Sequence, residues 1–155
     1  EPFKDGDFIV VGSDAGTVKH VGIKTTRLQA LQGQELIIPN TELTSSRINN
    51  YKQMEKRRIP FGFGVEYGTP TTKMKKIPDM VKKIITDIKD VDYDRCHFKD
   101  FGDFSLNFEV VYYVASQDYS VYMDKQQEIN LAIKQAFEKE KIEMAFPTQT
   151  ILLQK

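Results

Sequence analysis

The residue types that carry most enzymatic and metal chemistry are scarce in this chain. It has one cysteine, Cys96, next to one of only two histidines, His97, with His20 far away in sequence. A zinc site takes about four Cys, His or carboxylate ligands, or three with an open position. These three residues would have to recruit distant carboxylates, so core and surface roles are expected of them. A Ser-His-acid triad would have to use one of the same two histidines without a supporting motif. Asp92, Asp94, Asp100 and Asp103 gather in one stretch. A solvated loop is expected there, with weak calcium binding as the alternative. Asp100-Phe101-Gly102 spells the metal-binding triplet of protein kinases, but no Gly-rich loop or catalytic-loop sequence accompanies it. Gly102-Asp103 reads more simply as a hairpin turn. No catalytic constellation and no metal or cofactor site is expected.

Two further stretches carry binding chemistry. Phe61-Gly62-Phe63-Gly64-Val65-Glu66-Tyr67 resembles the aromatic strand of the RNA-recognition motif. That strand should come third in its fold, whereas this one opens its unit, and the aromatic expected between Gly64 and Val65 is absent. Phe61, Phe63, Val65 and Tyr67 fall on one strand face at period 2, so a core face with glycines relieving crowding is expected. The second stretch is basic: Lys52, Lys56, Arg57 and Arg58 against Glu55. It reads either as a solvated linker with salt bridges or as a charged rim along a path for anions.

The bulk composition is that of a globular protein: 155 residues, 40% hydrophobic and 28% charged. Lys plus Arg equals Asp plus Glu at 22 each, so the basic excess usual in nucleic-acid binders is missing. One cysteine allows no disulfide within the chain, which fits a reducing compartment. No apolar run approaches the ~20 residues of a membrane helix. The start at Glu1-Pro2-Phe3, without Met, is expected of a piece of a longer chain.

Strand and turn signals fill residues 1–58. Short strands are expected at 7–11, 17–21, 24–31, 35–38 and 47–51, with Leu36, Ile37 and Ile38 a buried run and a one-turn helix over 41–46. Five such strands with tight turns predict a small β-barrel filled by its own side chains. Residues 59–155 change character. A strand is expected over 59–67, then Thr69-Pro70 opens a helix with Met74, Ile77, Val81, Ile84, Ile85 and Ile88 on one face. Pro78 inside that pattern either kinks the helix or marks its start. Strands at 95–101 and 106–114 follow. Asp118 caps a helix over 120–139 with Ile129, Ala132, Ile133, Ala136 and Phe137 inward, and a last strand closes the unit over 148–153. The order βαββαβ predicts a ferredoxin-like fold.

Pro2-Phe3, Gly6-Asp7-Phe8-Ile9, Gly16-Thr17-Val18, Ile38-Pro39-Asn40, Ile48-Asn49-Asn50-Tyr51, Phe101-Gly102-Asp103, Leu106-Asn107-Phe108-Glu109-Val110 and Phe146-Pro147 occur in one order. Together they resemble the cytoplasmic part of the small-conductance mechanosensitive channels, the MscS family. The resemblance covers nearly the whole chain and implies an Sm-like β domain over 1–58 followed by a ferredoxin-like α/β domain over 59–155. It also implies a homoheptameric, multi-pass parent in the cell (inner) membrane. Its soluble parts would form a cage on the cytoplasmic side, through whose side portals ions and small osmolytes pass. No enzyme activity, no cofactor, no metal and no nucleic-acid partner are implied.

The resemblance places Pro39, Asn40 and Thr41 in a loop at the top of the β ring, facing the pore helix. Pro39 would stop strand pairing and Asn40 would offer its amide to the helix above, while Thr41 replaces a glycine found in some relatives. Lys52, Lys56, Arg57 and Arg58 are the candidate portal charges. An edge strand invites pairing with another chain, so 35–38 or 47–51 is expected in a seam between subunits. Some relatives carry a further strand that builds a barrel at the base of the cage. This chain stops at Lys155, just past its last expected strand, so either it is cut short or this member lacks the element; without that strand and without membrane helices, a monomer is the expectation for the fragment alone. The alternative of another class is a soluble RNA-binding module with Sm-like and ferredoxin-like domains. A small enzyme on the ferredoxin-like unit ranks last.

Overall fold

The structure is a computed structural model and describes residues 2–51 and 56–153. The chain divides into two compact units, Glu1–Glu55 and Lys56–Lys155. The first is all-β apart from one short helix, and the second mixes helices with a sheet.

In the first unit the strands are β1 (Phe8–Val11), β2 (Asp14–Val21), β3 (Thr25–Ala30), β4 (Glu35–Pro39) and β5 (Ile48–Asn50), with helix α1 (Asn40–Ser45) between the last two. They form one antiparallel sheet in the order β4-β3-β2-β1-β5. All five strands expected of the small β-barrel are present in this one sheet, with β4 and β5 as its edges among the described residues. Ile9, Val11, Val18, Leu28 and Ile38 bury one face, and Leu43 from α1 completes that core. The expected buried run at 36–38 alternates instead: Ile38 is buried and Ile37 is exposed, as an edge strand with one wet face requires.

The second unit contains β6 (Arg57–Val65), α2 (Thr71–Thr86), β7 (Val91–Phe101), β8 (Leu106–Val114) and α3 (Tyr119–Glu140). Its antiparallel sheet has the order β6-β8-β7. Ile77, Val81 and Ile85 of α2, and Ile129, Ile133 and Phe137 of α3, are buried against Val65, Phe108, Val110, Tyr112 and Val114 of the sheet. Both helices show the 3.6-residue spacing that puts such residues on one face. Asp118 caps α3, accepting from Ser120 N–H at 2.8 Å. The helix ends on Lys141 in the left-handed region at φ 52°. Pro78 neither starts α2 nor interrupts it; the helix runs through it.

The last expected strand, 148–153, does not form. What remains of a fourth strand is a single bridge between Val65 and Met144, with Ala145 N–H donating to Gly64 C=O at 3.0 Å. Continued antiparallel pairing would lay Pro147 opposite Gly62 and bring the chain past Pro60 on the same edge. Pro60 lacks the N–H that would face the newcomer, and Pro147 has none to give. The ladder stops there for want of donors. Phe146, Ile151, Leu152 and Leu153 are left exposed.

Candidate functional site

The junction at Pro39, Asn40 and Thr41 is the most connected of the expected site positions. It is not a loop. Pro39 ends β4, paired with Thr25, and Asn40 begins α1. Pro39 fits because its fixed φ, here −59°, serves both the strand end and the helix entry. Asn40 uses almost every polar atom it has inside its own unit. Its side-chain Nδ2 donates to Gly22 C=O at 2.8 Å and Ile23 C=O at 3.1 Å. Its Oδ1 accepts from the buried Thr26 hydroxyl at 2.8 Å, and its backbone N–H donates to Lys24 C=O at 2.9 Å. With Gly22 N–H on Thr25 C=O at 2.9 Å, these bonds fix the turn between β2 and β3. Both amide hydrogens are spent, so a helix above would meet Asn40 only at the cost of one of them. Thr41 is exposed, and its carbonyl accepts from Thr44 Oγ1 at 3.0 Å.

The basic stretch separates into different environments. Lys52 lies outside the described residues. Lys56 forms an ion pair with Asp92 at 2.6 Å. Arg57 donates to Gln117 C=O at 3.1 Å, and its guanidinium stands 5.9 Å from the ring centres of both Tyr119 and Tyr122. Arg58 is exposed on the opposite strand face. One stretch of sequence thus yields an anchored pair, Lys56 and Arg57, and one cation directed to solvent.

The other expected constellations do not assemble. Cys96 faces the core, where burial pushes its thiol up to about 12. His97, the next residue, is exposed across from Glu109. His20 sits 3.8 Å from Asp5 in the other unit. Among the described residues no group of three His, Cys, Asp or Glu is placed to hold a metal ion. Asp92 is tied to Lys56, and Asp100 accepts from Asn107 Nδ2 at 2.6 Å, so the run of carboxylates is split between structural roles. Phe63 stacks on Phe108 at 5.4 Å and meets Phe137 edge-on at 5.3 Å; Phe61 meets Tyr112 at 5.8 Å. These aromatics point toward the helices. An RNA platform needs them on the open face, where β6 offers Arg58, Pro60, Gly62 and Gly64 and no aromatic ring. A Cβ on Gly64 would lie 2.7 Å from the Ser105 side chain, so the glycines answer crowding.

Two features escaped the sequence. Asp7 is buried and accepts from Lys4 N–H at 3.1 Å and Asn50 Nδ2 at 2.8 Å, locking the chain start to β5. Ile23 is 98% exposed at the turn that Asn40 fixes. An apolar residue inside Gly22-Ile23-Lys24, where turn residues are usually polar, was the available signal.

Known families match along the same two units. The family model for the C-terminal part of the MscS mechanosensitive ion channel matches residues 59–144, and that for the mechanosensitive ion channel β-domain matches residues 1–53. The chain belongs to the MscS family. It is 38% identical over 156 residues to the small-conductance mechanosensitive channel MscMJ of Methanocaldococcus jannaschii, covering all of this chain and 45% of that protein. It is 34% identical over 160 residues to the large-conductance channel MscMJLR of the same organism, covering all of this chain and 44% of that protein. Among solved structures, the closed state of Helicobacter pylori MscS superposes with TM-score 0.81 at 28% identity, over all of this chain and 60% of that one. Arabidopsis thaliana MSL1 superposes with TM-score 0.86 at 19% identity, over 95% of this chain and 54% of that one, a likeness of fold alone. The MscS chain described here thus spans less than half the length of those two curated relatives. None of its described helices is long and apolar enough to cross a membrane.

Proposed function

We propose that this chain forms the wall of a cytoplasmic vestibule in a mechanosensitive channel. The Sm-like unit over 1–58 would build a ring under the gate and the ferredoxin-like unit over 59–155 a cage below it. The parent would be a homoheptamer in the cell membrane, opened by tension and passing ions and small osmolytes. Its work would be permeation and not bond making. The observation that carries this reading is the match of both units, in order, to the β-domain and the C-terminal part of one channel family.

The free edges support the assembly. β4 and β5 are the two ends of one sheet, so β4 of one subunit can pair with β5 of the next and close a ring without leaving unpaired edge groups. The exposed apolar tail from Phe146 to Leu153 finds no cover in its own unit, which suits a contact with further copies, as in relatives that build a basal barrel. For the portal charge, Arg58 suits the role better than Lys56 and Arg57, because the latter two are already engaged.

Cysteines stepped along 35–39 and combined with one at Asn49 test the seam in the complete parent protein. Cys96 is buried and will not compete. Mild oxidation should give a ladder of covalent multimers ending at the heptamer. Absence of any ladder from all positions would remove the β4–β5 seam.

A further inference from the structure

The first unit ends in two apolar turn tips with different surroundings. Ile23, 98% exposed, tips the β2–β3 hairpin, and Leu31, 81% exposed, tips the β3–β4 hairpin. Leu31 is followed by Gln32, Gly33, Gln34 and Glu35, so its surroundings are uncharged or acidic. Ile23 is different. It stands in Lys19-His20-Val21-Gly22-Ile23-Lys24, where Lys19, His20, Val21 and Lys24 are all exposed. Lys4 and Phe3 line the same end of the unit, beside Val21, Leu43 and Ile48.

The charges around Ile23 are mostly uncompensated. No carboxylate among the described residues lies within 4.0 Å of the ammonium of Lys4, Lys19 or Lys24. The one acid in the group, Asp5, is turned to Val21 N–H at 3.0 Å and to His20 at 3.8 Å. The register shift between Val18 and His20 leaves Lys19 outside the ladder with β3, and such a bulge bends its strand. The tip itself is held rigid by the Asn40 bonds to Gly22, Ile23 and Lys24. A fixed, bare isoleucine on a hairpin that carries Lys19 and Lys24, with Lys4 beside Val21 at the same end, combines an apolar wedge with complementary charge for an anionic bilayer surface. The isoleucine can enter the acyl boundary while the long cationic chains reach the headgroups.

We propose that the β2–β3 tip is a docking point for an anionic phospholipid surface, with Ile23 and Val21 as the inserting residues, Lys4, Lys19 and Lys24 as the headgroup contacts, and Asn40 as the positioning residue. The site is independent of the channel reading and is tested on this chain alone, so failure of either leaves the other standing.

The experiment is co-sedimentation of the 155-residue chain with vesicles of phosphatidylcholine, with and without about 30 mole per cent phosphatidylserine, at roughly 1 mM accessible lipid. The anionic vesicles should retain roughly fivefold or more protein than the neutral ones, falling as salt rises from about 0.1 to about 0.5 M. Ile23→Asn and Lys24→Glu should each remove most of the binding, while Leu31→Asn, at the other tip, should leave it intact. Both tips are solvent-exposed, so circular dichroism should be unaltered in all three variants. Equal retention on neutral vesicles, no retention on either kind, or a loss with Leu31→Asn equal to that with Ile23→Asn would overturn the proposal.

Discussion

Asn40 shows how far a residue's role depends on partners that sequence does not name. Its place after Pro39 marks a chain reversal, and an amide there could equally point out to a neighbour or in to its own fold. The structure turns it inward, against Gly22, Ile23 and Thr26. Asn40→Ala would strand the buried Thr26 hydroxyl and two carbonyls, so the first unit should lose about 1–3 kcal/mol, read by urea unfolding of the chain. A change below about 0.5 kcal/mol would mean that the clamp contributes little. Glu109 gives a pH-dependent case. Partial desolvation works to raise its carboxyl, but Lys99 at 3.5 Å and Arg95 at 2.9 Å together outweigh that and hold it below its usual value. A carboxyl depressed on folding contributes stability above its unfolded value of about 4.3, and that contribution disappears as pH falls through the folded value. Glu109→Gln should therefore be destabilised at neutral pH and match the parent sequence in acid. A constant difference across that range would point to packing and not charge.

At the scale of elements, periodicity and punctuation were legible and pairing was not. The inward faces of α2 and α3 follow from spacing, and Asp118 as a cap follows from residue type. Asp118→Ala should cost about 1 kcal/mol, and Phe137→Ala, which removes a fully buried ring, about 3–5 kcal/mol; both are measurable as shifts in denaturation midpoint. Equal effects would contradict the packing described. The strand expected over 148–153 failed because β-propensity in Ile151, Leu152 and Leu153 says nothing about an available edge. Pro60 and Pro147 together withhold the donors that a fourth strand needs. In the β unit, turn spacing gave the number of strands, whereas the sheet order β4-β3-β2-β1-β5 required the fold. The run of basic residues was readable as charge. That Arg57 would lie against Tyr119 and Tyr122 required the fold, because those partners are about sixty residues away in the chain.

At the scale of the whole molecule, the β4 and β5 edges and the exposed apolar residues Phe146, Ile151, Leu152 and Leu153 are surfaces that another copy of the chain could cover. Two of the candidate portal charges, Lys56 and Arg57, are neutralised or anchored locally, so neutralising Arg58 in the complete parent should lower any anion preference. Neutralising Lys56 should do less, because Asp92 already offsets it. An unaltered reversal potential in all variants would remove this stretch from the permeation path. The most direct test of the central claim is suction applied to patches of liposomes holding the complete gene product that contains this chain. Discrete openings whose frequency rises with membrane tension are predicted. Patches that rupture without any such openings, despite verified incorporation of the protein, would contradict it.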